Sequence, residues 1–437
     1  MPSKAAGWVR RRMELAGLQA SVEETGGHPV VVGRHHAGPD APTLLVYAHY
    51  DVQPPEPIEA WTHGGPWSGA IVDGVLYGRG ATDNKSGVLA FTKAAKAFLE
   101  VRGEVPANLK FLIEGEEETG SASLPTLLER YRSKLAADVV VLSDTYNFAT
   151  GVPALTWQLR GLVQVDVEVT CLDRPVHSGD FGGAVPDPVR ILCRLLDDLR
   201  APDGRIAVPG LYRRVARPTA AVRRRLRQLP FSEAAFRRGA GMLPGTKLER
   251  EKGVSVYEQL WTRPSLTVIA IEAHSLHGSS NQILDSARAR LSMRTVPDMD
   301  AQEAGALLVR KVAAKPPAGA RIDARVTRWT PWWTTDPSGP AFDAAMRALE
   351  KGYGKKPALI GSGASIGFVR PFADAMGVPC LLTGVEDPGC GAHSGDESLH
   401  LGDWRKSMRS AVHLFEELAA LGKAGLTASR GRGRRRR

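Results

Sequence analysis

Several side chains in this sequence have the types and settings that metal-assisted hydrolysis requires. His49 and Asp51 follow a short apolar run at 43–48, Glu117 and Glu118 follow another at 109–114, and Asp144 ends a third at 138–143. Asp83 sits in Gly78-Arg-Gly-Ala-Thr-Asp-Asn-Lys, and His393 in Gly391-Ala-His-Ser-Gly-Asp-Glu. Imidazole and carboxylate donors without thiolates suit zinc or manganese. Two histidines and three carboxylates suffice for two ions about 3.5–4 Å apart with one carboxylate bridging them. Such a pair ionises a shared water and polarises the carbonyl it attacks, while a further carboxylate carries the proton to the leaving nitrogen. Of the neighbours Glu117 and Glu118, one can bind metal and the other act as base. Singly, each residue has a plainer explanation. An aspartate before a helix is usually a cap, paired glutamates are usually solvated, and a lone histidine is usually structural. Their joint placement raises the metal reading above these.

The elements that must position them alternate. Apolar runs too short for helices (29–32, 43–48, 109–114, 138–143) are interleaved with helical patterns at 85–99 and 124–135. This predicts an α/β fold whose mostly parallel sheet is flanked by helices, with the candidate ligands at the carboxyl ends of strands, where such sheets bind ligands. A surface helix is expected at 6–18. From Thr156 the pattern changes to alternation through Val163, Val165, Val167 and Val169, the mark of half-buried antiparallel strands. A helix at 188–199, strands at 266–272 and 287–295 and a helix at 300–313 follow. The α/β texture returns after Trp329-Thr-Pro-Trp-Trp and ends in a helix near 405–421. The expected organisation is a discontinuous catalytic domain (1–154 and 332–421), an inserted α+β lid and dimerisation domain (155–331), and a disordered arginine-rich tail (422–437).

The motifs His49-Tyr-Asp-Val-Gln-Pro, Gly78-Arg-Gly-Ala-Thr-Asp-Asn-Lys, Gly115-Glu-Glu-Glu-Thr-Gly-Ser and Gly391-Ala-His-Ser resemble those of the carnosinase, aminoacylase and carboxypeptidase G superfamily of co-catalytic dizinc peptidases, most of all its dipeptidase branch. The resemblance runs from about residue 30 to 421. It implies that His49, Asp83 and Asp144 hold one metal, and that Asp83, Glu118 and His393 hold the other, with Asp83 bridging. It makes Glu117 the general base and Asp51 the carboxylate that orients His49, and it implies a cis peptide at Asp83–Asn84. Val176-His-Ser-Gly-Asp-Phe-Gly-Gly resembles the lid motif, so His177 is expected to stabilise the oxyanion in the neighbouring subunit of a homodimer. Arg294 in Leu291-Ser-Met-Arg-Thr-Val-Pro-Asp resembles the arginine that grips the substrate carboxylate, and Asn281 and Ser365 match weaker substrate-binding positions. The cofactor implied is two divalent ions, Zn2+ first, with Mn2+ or Co2+ as alternatives. Gly367 and Asp285 stand where the family has proline, and both departures fall on the substrate pocket. The lead before the first motif is shorter than the family's.

The reading is thus a dipeptidase acting on small peptides with a free carboxylate. Its rivals are an N-acyl-amino-acid deacylase or carbamoyl-amide hydrolase, and a non-catalytic binding protein. Composition narrows the rest. In a 437-residue chain with 43% hydrophobic and 24% charged residues a folded core is expected. No apolar run is long enough for a membrane-spanning helix. The net charge of +10 is concentrated in residues 205–252 and in the arginines of 430–437. Neither stretch has the interleaved aromatics of a nucleic-acid platform, so only nonspecific polyanion contacts of the tail are expected. Gly361-Ser-Gly-Ala-Ser-Ile-Gly fits no phosphate-loop spacing. Four scattered cysteines and the absence of a signal-peptide pattern make a reducing cytoplasm the expected location.

Overall fold

Fully apolar runs cannot present a wet face, and those read in the sequence lie at the centre of a nine-stranded sheet in the computed structural model, which describes residues 2–427. Along the chain the principal strands are β1 (Gln19–Glu23), β2 (Val30–His35), β3 (Thr43–His49), β4 (Asn108–Glu114), β5 (Val139–Ser143), β6 (Ala154–Leu159), β7 (Gly161–Thr170), β8 (Ser265–Glu272), β9 (Ser286–Thr295), β10 (Arg321–Thr330), β11 (Trp333–Thr334), β12 (Ala358–Ser362) and β13 (Cys380–Thr383). The large sheet has the order β1-β2-β4-β3-β5-β13-β6-β11, with β12 also paired to β6. Its middle strands β4, β3, β5 and β13 are parallel neighbours. The fold is α/β with a mostly parallel central sheet flanked by helices, as expected. The chain leaves β3 towards β4 on one side and β5 on the other, so the loops after these strands open into one crevice.

Helices Lys85–Arg102, Pro340–Tyr353 and Leu401–Thr427 cover one face of the sheet, and Phe91, Phe98 and Phe415 pack between them. Two helices, Leu124–Arg130 and Arg132–Leu135, occupy the stretch read as one, with a break at Tyr131. The first helix spans Pro2–Leu15 rather than 6–18, and like a surface helix it keeps one face wet, with Leu15 exposed. Ala6, Val9 and Met13 are buried in the main core, and Met13 abuts Gly33.

The second sheet, β8-β9-β7-β10, is antiparallel throughout. The helices Pro188–Asp197 and Ala301–Ala313 pack on the face formed by Val163, Val165, Val167 and Val169, giving a separate core. Its other face carries a ladder of ion pairs, Arg290–Asp166 and Arg288–Glu168. The crossings lie at Arg160 and near Trp332. β6 through Leu159 belongs to the large sheet, as does β11, rather than the break falling at 155. The arginine-rich stretch forms the helix Ala220–Gln228. Its Leu226 packs with Trp261 against Ala154, Ala358 and Ile360 of the large sheet's β6 and β12. The C-terminal helix continues past a kink at Gly422 to Thr427 with Leu426 buried, so 422–427 are helical rather than tail. The rest of the expected tail, 428–437, lies outside the described residues. Among the described residues no helix is long and apolar enough to cross a membrane.

Met13 is 0% exposed. Met13→Ala is therefore expected to destabilise the protein by about 2–5 kcal/mol, read as a lowered urea midpoint with an unchanged m-value.

Candidate metal centre and substrate pocket

His49 ends β3 and is completely buried. Its Nε2 lies 3.0 Å from Asp83 Oδ1 and 3.4 Å from Asp144 Oδ1. Its Nδ1 lies 3.2 Å from Asp51 Oδ1, and the other Asp51 oxygen accepts a 2.9 Å hydrogen bond from the Glu118 backbone N–H. Asp51 thereby joins the loop after β3 to the loop after β4. On the other side of Asp83, His393 Nε2 lies 3.0 Å from Asp83 Oδ2 and 3.2 Å from Glu118 Oε2. The two imidazoles thus address opposite oxygens of one carboxylate. Asp83 does not cap the helix that follows it; Asn84 occupies the N-cap position, and the Asp83–Asn84 peptide is cis, as the resemblance implied.

Local sequence explains this placement. Asn84 Nδ2 donates to the Ser143 carbonyl at 2.5 Å and to Asp144 Oδ1 at 3.0 Å, tying the first turn of helix Lys85–Arg102 to the end of β5. Gly87 permits that approach, since a Cβ there would stand 2.7 Å from Ser143 Oγ and 2.9 Å from its carbonyl oxygen. Glu117 opens a single turn, Glu117–Thr119, and Gln53 donates to Glu118 Oε2 at 2.7 Å.

Among the described residues, three sets bring donor atoms within 4.8 Å of one another: His49, Glu117 and Asp144; Asp83, Glu118 and His393; and Asp83, Asp144 and Glu386. Charge in this crevice is poorly balanced by protein groups. Burial and then the Asp144 charge push the Glu117 carboxyl well above its ordinary range. Burial pulls the His49 pKa down, but the Asp144 charge and the ring's hydrogen bonds to Asp144, Asp51 and Asp83 outweigh it and push it well above the ordinary histidine range. The hydrogen bonds to Asp83 and Glu118 push His393 up to about 10. Among the described residues Glu118 Oε1 is buried without a hydrogen-bond partner, and Asp51 Oδ1 has only the 3.2 Å approach of His49 Nδ1. A nitrogen and oxygen donor set without sulfur, with an orphaned carboxylate oxygen and protonation favoured where cations would sit, fits two divalent ions.

The remaining expected residues form two other groups. Arg294, on β9, donates from Nη1 to Ser365 Oγ at 2.7 Å, uniting two positions 71 residues apart. His177 and Asn281 lie side by side on the small sheet unit, where Ser178 N–H donates to the Asn281 carbonyl. Both are exposed, and the hydrogen bond of the His177 ring is to its own Gly179 N–H.

Sequence reasoning missed three residues here. Glu397, fully buried, accepts from Arg79 Nη1 at 2.8 Å and from the backbone N–H groups of Gly80, Thr82 and Asp83 at 2.9–3.1 Å. It clamps the His393 loop onto the Asp83 loop, and its only sequence signal was its place at the end of the His393 motif. Arg160, at the crossing between sheets, is buried without a carboxylate partner. It donates to the Gly363 carbonyl and to Ser265 Oγ, and burial and then Arg294 push it down to about 9. Glu386 follows β13, a strand the sequence pattern did not single out. The Arg79–Glu397 pair makes a prediction about stability. Glu397→Gln or Arg79→Met alone is expected to cost about 3–5 kcal/mol, because each leaves a buried charge uncompensated. In a denaturation double-mutant cycle the double variant should lose less than the two singles combined.

Comparison with known proteins agrees with this geometry. Residues 45–419 match the peptidase family M20/M25/M40. The chain is 32% identical over 403 residues to a cysteinylglycine-S-conjugate dipeptidase of Corynebacterium striatum, covering 91% of this chain and 86% of that protein. It is 30% identical over 402 residues to the beta-Ala-His dipeptidase of Rattus norvegicus, covering 90% of this chain and 80% of that one. The structure of human carnosine dipeptidase 1 superposes with a TM-score of 0.84 at 28% identity, over 95% of this chain and 90% of that one. With the motifs, the crevice and the whole-length similarity together, the chain belongs to peptidase family M20/M25/M40, as a metallopeptidase of the dipeptidase type.

Proposed function

We propose that the protein hydrolyses dipeptides and closely related amides that carry a free carboxylate, using two divalent ions and Glu117 as general base. The observation that carries this reading is the pair of imidazoles on opposite oxygens of Asp83, with Glu117 beside them. His49, Asp83 and Asp144 would hold one ion and Asp83, Glu118 and His393 the other, with Zn2+ the first candidate and Mn2+ or Co2+ compatible with the same donors. When bound, the ions supply Lewis acidity that activates the attacking water and polarises the scissile carbonyl.

The chain's own groups do the rest. The Glu117 carboxylate takes the water's proton and delivers it to the leaving nitrogen, a task helped by burial and the Asp144 charge, which raise its pKa above the ordinary carboxylate range. Asp51 fixes the orientation of the His49 ring through Nδ1. Arg294, which has no acidic partner among the described residues, offers its planar fork to the substrate's carboxylate with Ser365 alongside. Asn281 stands next to His177, and the pair would act on a substrate only from a second subunit. The support for a homodimer is the outer edge of the small sheet. β8 has no strand beyond it among the described residues, and Val268, Ile269 and Ile271 are exposed along it. Such an edge is a template for pairing with another chain.

Two outcomes are expected. Glu117→Gln should retain both ions while hydrolysis falls by about 10²–10⁴-fold; undiminished turnover removes Glu117 from the role. A panel of dipeptides, acyl-amino acids and ureido acids, assayed with and without chelator, identifies the amide class. Separately, mixing inactive His177→Ala and Glu117→Gln proteins should restore activity, because the mixed dimer has one site with both residues intact. No recovery in demonstrated mixed dimers would place His177 outside the partner's site.

A further inference from the structure

Glu386 is unexplained by the two ligand sets above. The residue is 4% exposed, and burial and neighbouring charges, with no hydrogen bond among them, act on its carboxyl. It nevertheless brings an oxygen within 4.8 Å of ligand oxygens of both Asp83 and Asp144. Its backbone is held where β5 and β13 end side by side. The Asn147 N–H donates to the Glu386 carbonyl at 2.6 Å, Tyr146 and Glu386 form a parallel bridge, and the Asp144 N–H donates to the Thr383 carbonyl at 3.1 Å. The position of the side chain is therefore set by the same strand ends that set Asp144. A carboxylate on a residue only 4% exposed, grouped with two other carboxylates, gains from a cation lying among them.

We propose that Glu386 is a further ligand to the divalent ion held by His49, Asp83 and Asp144. The inference rests on the dimetal reading and makes the two ion sites unlike. The His49 side would offer one imidazole and three carboxylates, the His393 side one imidazole and two. The oxygen-rich side favours a harder ion, so Mn2+ gains there relative to Zn2+.

Metal-free wild type and Glu386→Gln are each titrated with Mn2+ alone, followed by calorimetry and by loss of the free-ion electron paramagnetic resonance signal. Wild type is expected to bind two ions. The variant is expected to bind one with unchanged affinity and the other at least about tenfold more weakly, the scale on which even a ligand's supporting partners act. Glutamine reproduces the shape and hydrogen bonding of a protonated glutamate, so a variant that binds both ions as wild type does overturns the proposal. Wild type that fails to bind a pair of ions refutes the dimetal reading itself, whatever the variant does. Independently of any substitution, anomalous diffraction from ion-loaded wild-type crystals should place a Glu386 oxygen in the inner sphere, about 2.0–2.2 Å from the ion. A carboxylate beyond coordinating distance of both ions overturns it.

Discussion

Carboxylates crowded into one buried crevice repel one another, and the organisation of this protein around Asp83 follows from that constraint. Asp83, Glu117, Glu118, Asp144 and Glu386 share a space from which water is largely excluded. Removing a carboxylate from water is expensive, and each neighbour of like charge adds to the cost. In the protein alone, the opposition raises the pKa of His49, His393 and Glu117, favouring the protonated form of each. Divalent cations meet the same need more completely, and the ring nitrogens whose protonation is favoured are the atoms that would coordinate them.

Maintaining such a crevice requires backbone that does not yield. The parallel strands β3, β4 and β5 deliver His49, Glu117, Glu118 and Asp144 from adjacent ends, while β13 adds Glu386 from the next position. Asp83 and His393 come from loops instead, and loops need fastening. Glu397 provides it by accepting three backbone N–H groups of the Asp83 loop together with the Arg79 guanidinium. Asp51 and Asn84 fasten the remaining loops to each other. The supporting residues are as buried as the presumed ligands, so the rigidity of the centre is a property of both.

The substrate side is built differently. Arg294 belongs to the small sheet and Ser365 to the loop after β12 of the large one, so their hydrogen bond spans the two units. Arg160, at the crossing, bonds to both sides of the same junction. Two arginines without acidic partners at a junction leave positive charge available for an anionic group, in a place whose shape depends on how the units are held together.

Alternating apolar runs and helices made the α/β class legible without coordinates, and the positions of His49, Glu117, Glu118 and Asp144 after strands followed from the same pattern, because side-chain period and run length are local properties of the chain. The bounds of the first helix were less legible: it starts at Pro2 and ends at Leu15, which is exposed, because local spacing does not show where packing stops. Where the helix Ala220–Gln228 packs was not legible for a related reason: a charge run reveals that a face is wet, but not which sheet the opposite face covers. Glu386 carried no local signal and Glu397 only its place in the His393 motif, because a single glutamate in a loop looks the same whether it is solvated or buried. Residue types and their order determined which chemistry the chain can perform. Which carboxylates share one crevice, and which backbone groups hold them there, depended on contacts between segments some 300 residues apart that only folding creates.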